Sequence, residues 1–297
     1  MVEAWTEAEV SGWPVEYQEA RGKRSKFWVR SPRGVLWLRK EPRDRSPTEP
    51  AVEALMLRLA QTVGLPAPEA TVCTWQTTPP TPTGGRGILV RLFLDLDLGE
   101  ELSIGSIELR AAHNDYDPEH RGMHTLERIR PVLAALEVQA QAPMLGPFAH
   151  MLAFDAWIGN VDRHQENWGV LRRLGVPHRL APVFDVASCL GVELTPGHPQ
   201  LLPGADLGPY IQNCRSGFGD GVHQKPLLLM RSVVETVSSW PEWKAGIVGW
   251  LADFGRAMDT FGEVIRRVPV EWLPPERAEF ACNLLRTRLE WLRRCSE

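Results

Sequence analysis

Cysteine is scarce in this 297-residue chain: there are five, Cys73, Cys189, Cys214, Cys282 and Cys295, scattered, odd in number and never in a Cys-x-x-Cys pair. That pattern argues against a disulfide framework or a cysteine zinc site and points to free thiols in a reducing cytoplasm. No window approaches the ~18 consecutive apolar residues of a membrane span, so no membrane role is expected. The opening stretch MVEAWTEAEV carries acids and no apolar core, and is not expected to be a signal peptide. Basic residues cluster only at Arg21-Gly22-Lys23-Arg24-Ser25-Lys26, and the formal net charge is -4, so no direct nucleic-acid surface is expected. There is no G-x-G-x-x-G loop, no EF-hand spacing and no internal repeat. What is present is a globular composition, 43% hydrophobic and 24% charged, on a chain long enough for a real core.

Turn residues and period-2 patterning predict strands at VEYQEA, KFWVRSP and VLWLRK, three antiparallel strands joined by short turns. In the third, Lys40 shares a face with Leu36 and Leu38, so it either reaches solvent at a strand end or is held in a cleft. A helix follows over SPTEPAVEALMLRLAQTVGLP. Ser46 and Glu49 have capping-box spacing with Pro47 at the first helical position, Val52, Leu55, Met56, Leu59 and Val63 form the apolar stripe, and Gly64 sits at the C-terminal end. Glu53 lies at the edge of that stripe, either solvated or paired with a lysine on the preceding strand. Two more strands, PEATVCTW and GILVRLFL, flank the loop TTPPTPTGG.

Residues 95–125 read as an acidic linker with a short helix. Asp95, Asp97, Glu100 and Glu101 lack calcium-loop spacing and are expected to be a solvated face. Beyond His124 the pattern is helical: LERIRPVLAALEVQA, expected to be interrupted at Pro131, then PMLGPFAHMLAFDAWIG, and near the C-terminus PLLLMRSVVETVSSW, PEWKAGIVGWLADFGRAMDTFGEVIRRV and PPERAEFACNLLRTRLEWLRR. The Gly/Pro-rich segment 191–224 is too long for an ordinary connection and is expected to be functional or mobile. The fold class is therefore α+β, with a β-rich lobe over 1–95 and a mostly helical lobe over 96–297.

Between two of these helices lies FDAWIGNVDRHQENWGVL, residues 154–171. Its polar run, Asn160 to Asn167, would be expensive to bury without a ligand. Asp162, Asn167 five residues on, a strand, and then Asp185 in LAPVFDVASCLG form an arrangement suited to phosphoryl transfer. One carboxylate orients the attacking hydroxyl, while an amide oxygen and a second carboxylate hold Mg²⁺ against the phosphates. Asn160 is expected to brace the loop. His164 either supports it by hydrogen bonds or packs, and Arg163 pairs with an acid or contacts phosphate.

Taken in order, WLRKEP, PTEPAVEALMLRLAQTVGLPAPEA, LVRLFLD, FDAWIGNVDRHQENW and LAPVFDVASCLG resemble the HipA-like serine/threonine kinases, a compact branch of the protein-kinase-like fold related to phosphatidylinositol kinases. The resemblance spans roughly residues 20–225. It implies a two-lobed kinase fold and ATP with Mg²⁺ as cofactors. It implies Asp162 as catalytic base, Asn167 and Asp185 as metal ligands, Lys40 on the α- and β-phosphates and Glu53 as its ion-pair partner. It places Arg24 and Ser25 on the phosphate-covering loop, Ser25 as a candidate autophosphorylation site, and Leu92 and Phe93 in the hinge segment beside the nucleotide. The acceptor would be a hydroxyl on a protein or small molecule, and a toxin role would bring an antitoxin protein as partner. The basic loop departs from the family in having Gly22 alone, and at 297 residues no counterpart of the N-terminal subdomain of larger family toxins is expected. Two other readings stay open: a kinase-fold enzyme acting on a lipid or small molecule, and a nucleotide-binding pseudokinase or regulatory module.

Overall fold

The structure, a computed structural model, describes residues 5–19, 24–76, 85–221 and 230–297. Arg21, Gly22 and Lys23 of the basic turn, residues 77–84 of the Pro/Thr loop, 222–224 of the long Gly/Pro segment and 226–229 at the expected start of the next helix lie outside the described residues.

Strands β1 (Glu7–Glu9), β2 (Val15–Glu19), β3 (Lys26–Arg30), β4 (Leu36–Lys40), β5 (Ala70–Thr74) and β6 (Arg86–Arg91) form one sheet in the order β1-β5-β6-β4-β3-β2. β2 to β6 are the strands the alternation predicts, and their pairings are antiparallel. β1 pairs parallel with β5 and is invisible to patterning, since Glu-Ala-Glu has no apolar alternation and its partner is distant in sequence.

Helix α1 (Glu49–Thr62) packs on one face of this sheet, with Val52, Leu55, Met56 and Leu59 buried as their spacing predicts and Val63 buried just beyond its end. Its end is a Schellman turn: Leu65 N–H donates to Ala60 O at 2.9 Å, Gly64 N–H to Gln61 O at 3.1 Å, and Gly64 takes φ 80°. Its start differs from expectation. The helix begins at Glu49 with Pro50, not Pro47, in the first turn, and no side chain caps it. The Glu49 carboxylate is engaged instead by Arg43, whose backbone N–H donates to it at 3.0 Å.

The helical lobe contains β7 (Glu101–Ile104), α2 (Gly105–Ala112), α3 (Leu126–Ala140), α4 (Leu145–Ile158), β8 (Gly169–Arg173), β9 (Val176–Leu180), α5 (Gly208–Gln212), α6 (Met230–Val237), α7 (Pro241–Arg266) and α8 (Pro275–Ser296). β7, β8 and β9 form a small antiparallel sheet. The linker expected over 95–125 thus contains a strand, β7, whose four residues find their partner only in β8. Asp95, Asp97 and Glu101 are exposed as expected. Glu100 is not: it is buried and holds Arg179 at 2.6 Å. α3 runs unbroken through Pro131 rather than being interrupted there.

α4 is apolar on nearly all sides and therefore becomes the centre of the lobe. Trp157 stacks on Phe254 of α7 with ring centroids 4.4 Å apart, and its Nε1–H donates to Leu285 O of α8 at 3.0 Å. α4 stops at Gly159, where the Arg288 guanidinium lies and donates to Ala156 O at 3.1 Å. The polar loop 160–167 therefore leaves from the end of the most deeply buried helix. A second contact joins the lobes away from this loop. Trp272 Nε1–H donates to Glu7 Oε2 at 2.8 Å, and the Arg86 guanidinium lies 4.1 Å from the Trp272 ring centre. Among the described residues, no helix is long and apolar enough to cross a membrane.

Candidate active site

The last residue of β4 settles the alternatives for Lys40. Its side chain is buried, and Nζ donates to Glu53 Oε1 at 2.5 Å and to Asp185 Oδ1 at 3.2 Å. Glu53, fully buried on α1, is not solvated but is this lysine's partner. Arg24 enters from the turn before β3. It donates through Nη2 to Asp185 Oδ1 at 2.7 Å and through Nη1 to Glu53 Oε2 at 3.3 Å, with Glu49 at 3.9 Å. Lys26 Nζ lies 3.7 Å from Asp185 Oδ2. Residues from β3, β4, α1 and the segment after β9 therefore meet at one point, three cations against three carboxylates.

The charges in this cluster stabilise one another. Burial disfavours the Lys40 ammonium, but Asp185 and Glu53 outweigh it and hold its pKa above the ordinary value. Burial likewise pushes the Asp185 carboxyl up, but Lys40, Arg24 and Lys26 prevail and hold it well below the usual carboxylate range. Asp185 sits at φ 50°, a left-handed conformation that Asp adopts more readily than most residues. Ser25 lies in the same turn, and its carbonyl accepts from Glu41 N–H at 3.0 Å. Leu92 N–H donates to Leu36 O at 3.0 Å, and Phe93 stacks on Phe184, the neighbour of Asp185, at 5.6 Å between centroids. The segment after β6 is thus tied to the segment that carries Asp185.

The loop 160–167 supplies the other half. Asn160 braces it as expected: Nδ2 donates to Asp155 Oδ1 at 2.9 Å, and Oδ1 accepts from Asp162 N–H at 3.2 Å. Arg163 pairs with an acid and does not face outward. It is buried, its Nε lies 2.7 Å from Asp155 Oδ2, and its Nη2 lies 2.8 Å from Asp155 Oδ1. Its Nη1 donates to the carbonyls of Asn167 and Phe184. One buried guanidinium therefore fixes the backbone at Asn167 and at the residue before Asp185. His164 supports the loop, since its Nδ1 accepts from Glu166 N–H at 3.2 Å and its Nε2 faces Asp162 Oδ1 at 3.9 Å. Burial lowers its pKa, with Asp162 and Glu166 acting the other way. The Asp162 side chain is 44% exposed, so its carboxylate is open to solvent.

Three participants escape a reading of the sequence. Asp155, the anchor of Arg163, looks like one more residue of the helix that delivers the loop. His124, fully buried, donates from Nδ1 to Gly217 O at 3.1 Å and accepts Trp168 Nε1–H at 2.9 Å, which joins 216–219 to the residue after Asn167. Burial lowers its pKa to about 3, so it is neutral at physiological pH. Gly217 lies so close to the loop that a Cβ would come within 2.6 Å of the Arg163 carbonyl carbon. Part of the long 191–224 segment therefore packs directly over the loop. Only the Ser-Gly-Phe-Gly composition hints at this.

The donor set suits a hard divalent cation. The Asn167 amide nitrogen donates to Asp162 O at 2.7 Å, which leaves its oxygen as the free donor, and Asp185 adds a carboxylate. Among the described residues, no group of three or more His, Cys, Asp or Glu side chains could hold a metal. An open depression of about 660 Å³ beside the β8–β9 turn, lined by Gln139, Arg172, Arg173 and His178 among others, shares none of these residues.

A family model, the HipA-like C-terminal domain, matches residues 19–205, well over half of the chain. The chain belongs to this family. A stretch of 44 residues is 46% identical to the serine/threonine-protein kinase CtkA of Helicobacter pylori, covering 14% of each protein. The solved structure of H. pylori proinflammatory kinase CtkA superposes over 97% of both chains with a TM-score of 0.74 at 16% identity. HipA of Shewanella oneidensis, in its complex with HipB and operator DNA, superposes over 95% of this chain and 66% of that one, with a TM-score of 0.55 at 14% identity. The fold is the two-lobed kinase fold of these HipA-like proteins, and membership supports a kinase-type function.

Proposed function

We propose that this HipA-like protein is an ATP- and Mg²⁺-dependent phosphotransferase that acts on an alcohol group, as a protein serine/threonine kinase. The observation that carries the reading is the meeting of Lys40 with Glu53 at 2.5 Å and with Asp185 at 3.2 Å; Asp162, on the loop 160–167, is open to solvent. Lys40 binds the α- and β-phosphates, and Glu53 orients it. Arg24 and the Ser25 turn cover the phosphates, while Leu92 and Phe93 border the base. Asn167 and Asp185 would hold Mg²⁺, which when bound neutralises charge developing on the phosphoryl oxygens. Asp162 accepts the acceptor's hydroxyl proton. Arg163, pinned by Asp155, keeps both metal-bearing segments in register. We place the boundary between the lobes at residues 95 and 96.

The reading extends to a cytoplasmic toxin held by an antitoxin protein, supported by the HipB complex of the Shewanella neighbour. Transfer of the γ-phosphate to the protein itself or to a lysate protein tests the activity. Wild type is expected to label a protein. Asp162→Ala is expected to bind ATP without transfer, and Asp185→Ala to lose Mg²⁺-dependent binding. Absence of ATP binding by wild type would refute the reading.

A further inference from the structure

We propose that Arg24 and the divalent cation compete for the Asp185 carboxylate, and that nucleotide phosphates settle the competition by drawing Arg24 away. The inference rests on the reading of Asp185 as a metal ligand and adds an order of binding to it: metal enters with nucleotide, not ahead of it.

The geometry leads there directly. Asp185 Oδ1 accepts both Arg24 Nη2 at 2.7 Å and Lys40 Nζ at 3.2 Å, and Lys26 lies 3.7 Å from Oδ2. Mg²⁺ requires a carboxylate oxygen at about 2.0–2.1 Å in near-octahedral surroundings. A guanidinium on that oxygen occupies its lone pairs and places a positive charge beside the ion. Lys40 has no need to leave, because it is anchored to Glu53 at 2.5 Å. Arg24 is held differently. Its longer contacts reach Glu53 at 3.3 Å and Glu49 at 3.9 Å, and its side chain is 11% exposed. On its C-terminal side it leads within two residues into β3. Phosphate oxygens offer a guanidinium the same planar, bidentate partner that carboxylates do. A nucleotide can therefore take over Arg24 and free Asp185 for the ion in a single exchange. Such coupling is reciprocal, typically 5–150-fold.

Two titrations with opposite expected signs test this. The first follows Mn²⁺ alone by electron paramagnetic resonance, without nucleotide. Arg24→Gln is expected to bind Mn²⁺ tighter than wild type by on the order of tenfold, within the usual span of coupling between sites, Lys26→Gln to shift it less, and Asp185→Asn to abolish it. The second follows a fluorescent ATP analogue in excess chelator. There Arg24→Gln is expected to bind more weakly than wild type, and Arg24→Met must repeat both shifts. If Mn²⁺ affinity depends on Asp185 but not on Arg24, or if both affinities fall together, the competition is overturned and the metal assignment stands. If Asp185→Asn binds Mn²⁺ as wild type does, the metal assignment falls and takes the competition with it.

Discussion

Two buried ionic clusters lie side by side in this molecule, and they are built on opposite plans. Around Asp155, each carboxylate oxygen meets a donor at 2.7–2.9 Å, and the guanidinium of Arg163 spends its remaining reach on two backbone carbonyls. Around Asp185, three cations crowd one carboxylate that is 22% exposed, and Arg24 is shared among three acids. In the first cluster both carboxylate oxygens and all three guanidinium nitrogens have protein partners. The second has partners that a ligand can replace with equivalent ones. Burial alone does not separate scaffold from site, but the pattern of satisfaction does.

The sharpest way to break this contrast is to set an exposed carboxylate of the proposed site against the buried one of the scaffold. Asp162→Ala is expected to lower phosphoryl transfer by roughly 10²–10⁴-fold, the range for a positioned general base, with the unfolding midpoint unchanged because the side chain is half exposed. Asp155→Ala should do the reverse. It leaves Arg163 as a buried charge without its partner, and urea unfolding should show a loss of about 3–5 kcal/mol. A loss of stability in Asp162→Ala as large as that in Asp155→Ala would erase the distinction.

His124 sharpens the comparison through pH. Its folded pKa, about 3, lies below the ordinary value near 6.5, so the unfolded chain binds a proton that the folded one refuses. Stability is therefore expected to be full above pH ~6.5 and to fall as pH drops toward 3, with roughly 3 kcal/mol gone by pH 4 at 1.36 kcal/mol per unit. His150, lowered by burial to about 4, adds to the same slope. Unfolding measured at pH 7, 5.5 and 4 should show a shallower decline in His124→Asn than in wild type. An equal decline would remove His124 as the cause.

Gly217→Ala should cost about 1–3 kcal/mol as an overpacked contact and should slow transfer as well, because the strain falls on the Arg163 backbone. Unchanged turnover would show that the 216–219 segment is only a cover. The smallest effect is expected at the far lobe contact. Trp272→Phe removes the hydrogen bond to Glu7 and should cost about 1 kcal/mol, with nucleotide affinity preserved.

The sequence made much of this visible, and for identifiable reasons. Asp162, Asn167 and Asp185 are polar residues in apolar frames, and such anomalies can be read locally; Lys40 and Glu53 stayed open on local pattern, and only the family resemblance paired them. β2 to β6 and α1 are long enough for periodicity to show. β1 and β7 are not, because strands of three and four residues are defined by distant partners. The Glu49–Arg43 and Glu100–Arg179 pairs were hidden for a related reason: spacing predicted a capping box for one and solvent for the other, and neighbours in space decided otherwise. Asp155 was legible as the lone acid of an apolar helix but not as an anchor, since its partner Arg163 lies in the loop beyond and spacing alone does not pair them.

The most direct test of the contrast is nucleotide binding measured by calorimetry with Mg²⁺ and ATP on wild type, Asp162→Ala and Asp185→Asn. The account predicts that wild type and Asp162→Ala bind alike, and that Asp185→Asn loses the Mg²⁺-dependent part of the affinity. Equal binding by all three proteins would contradict it, because the Asp185 cluster would then be scaffold like its neighbour.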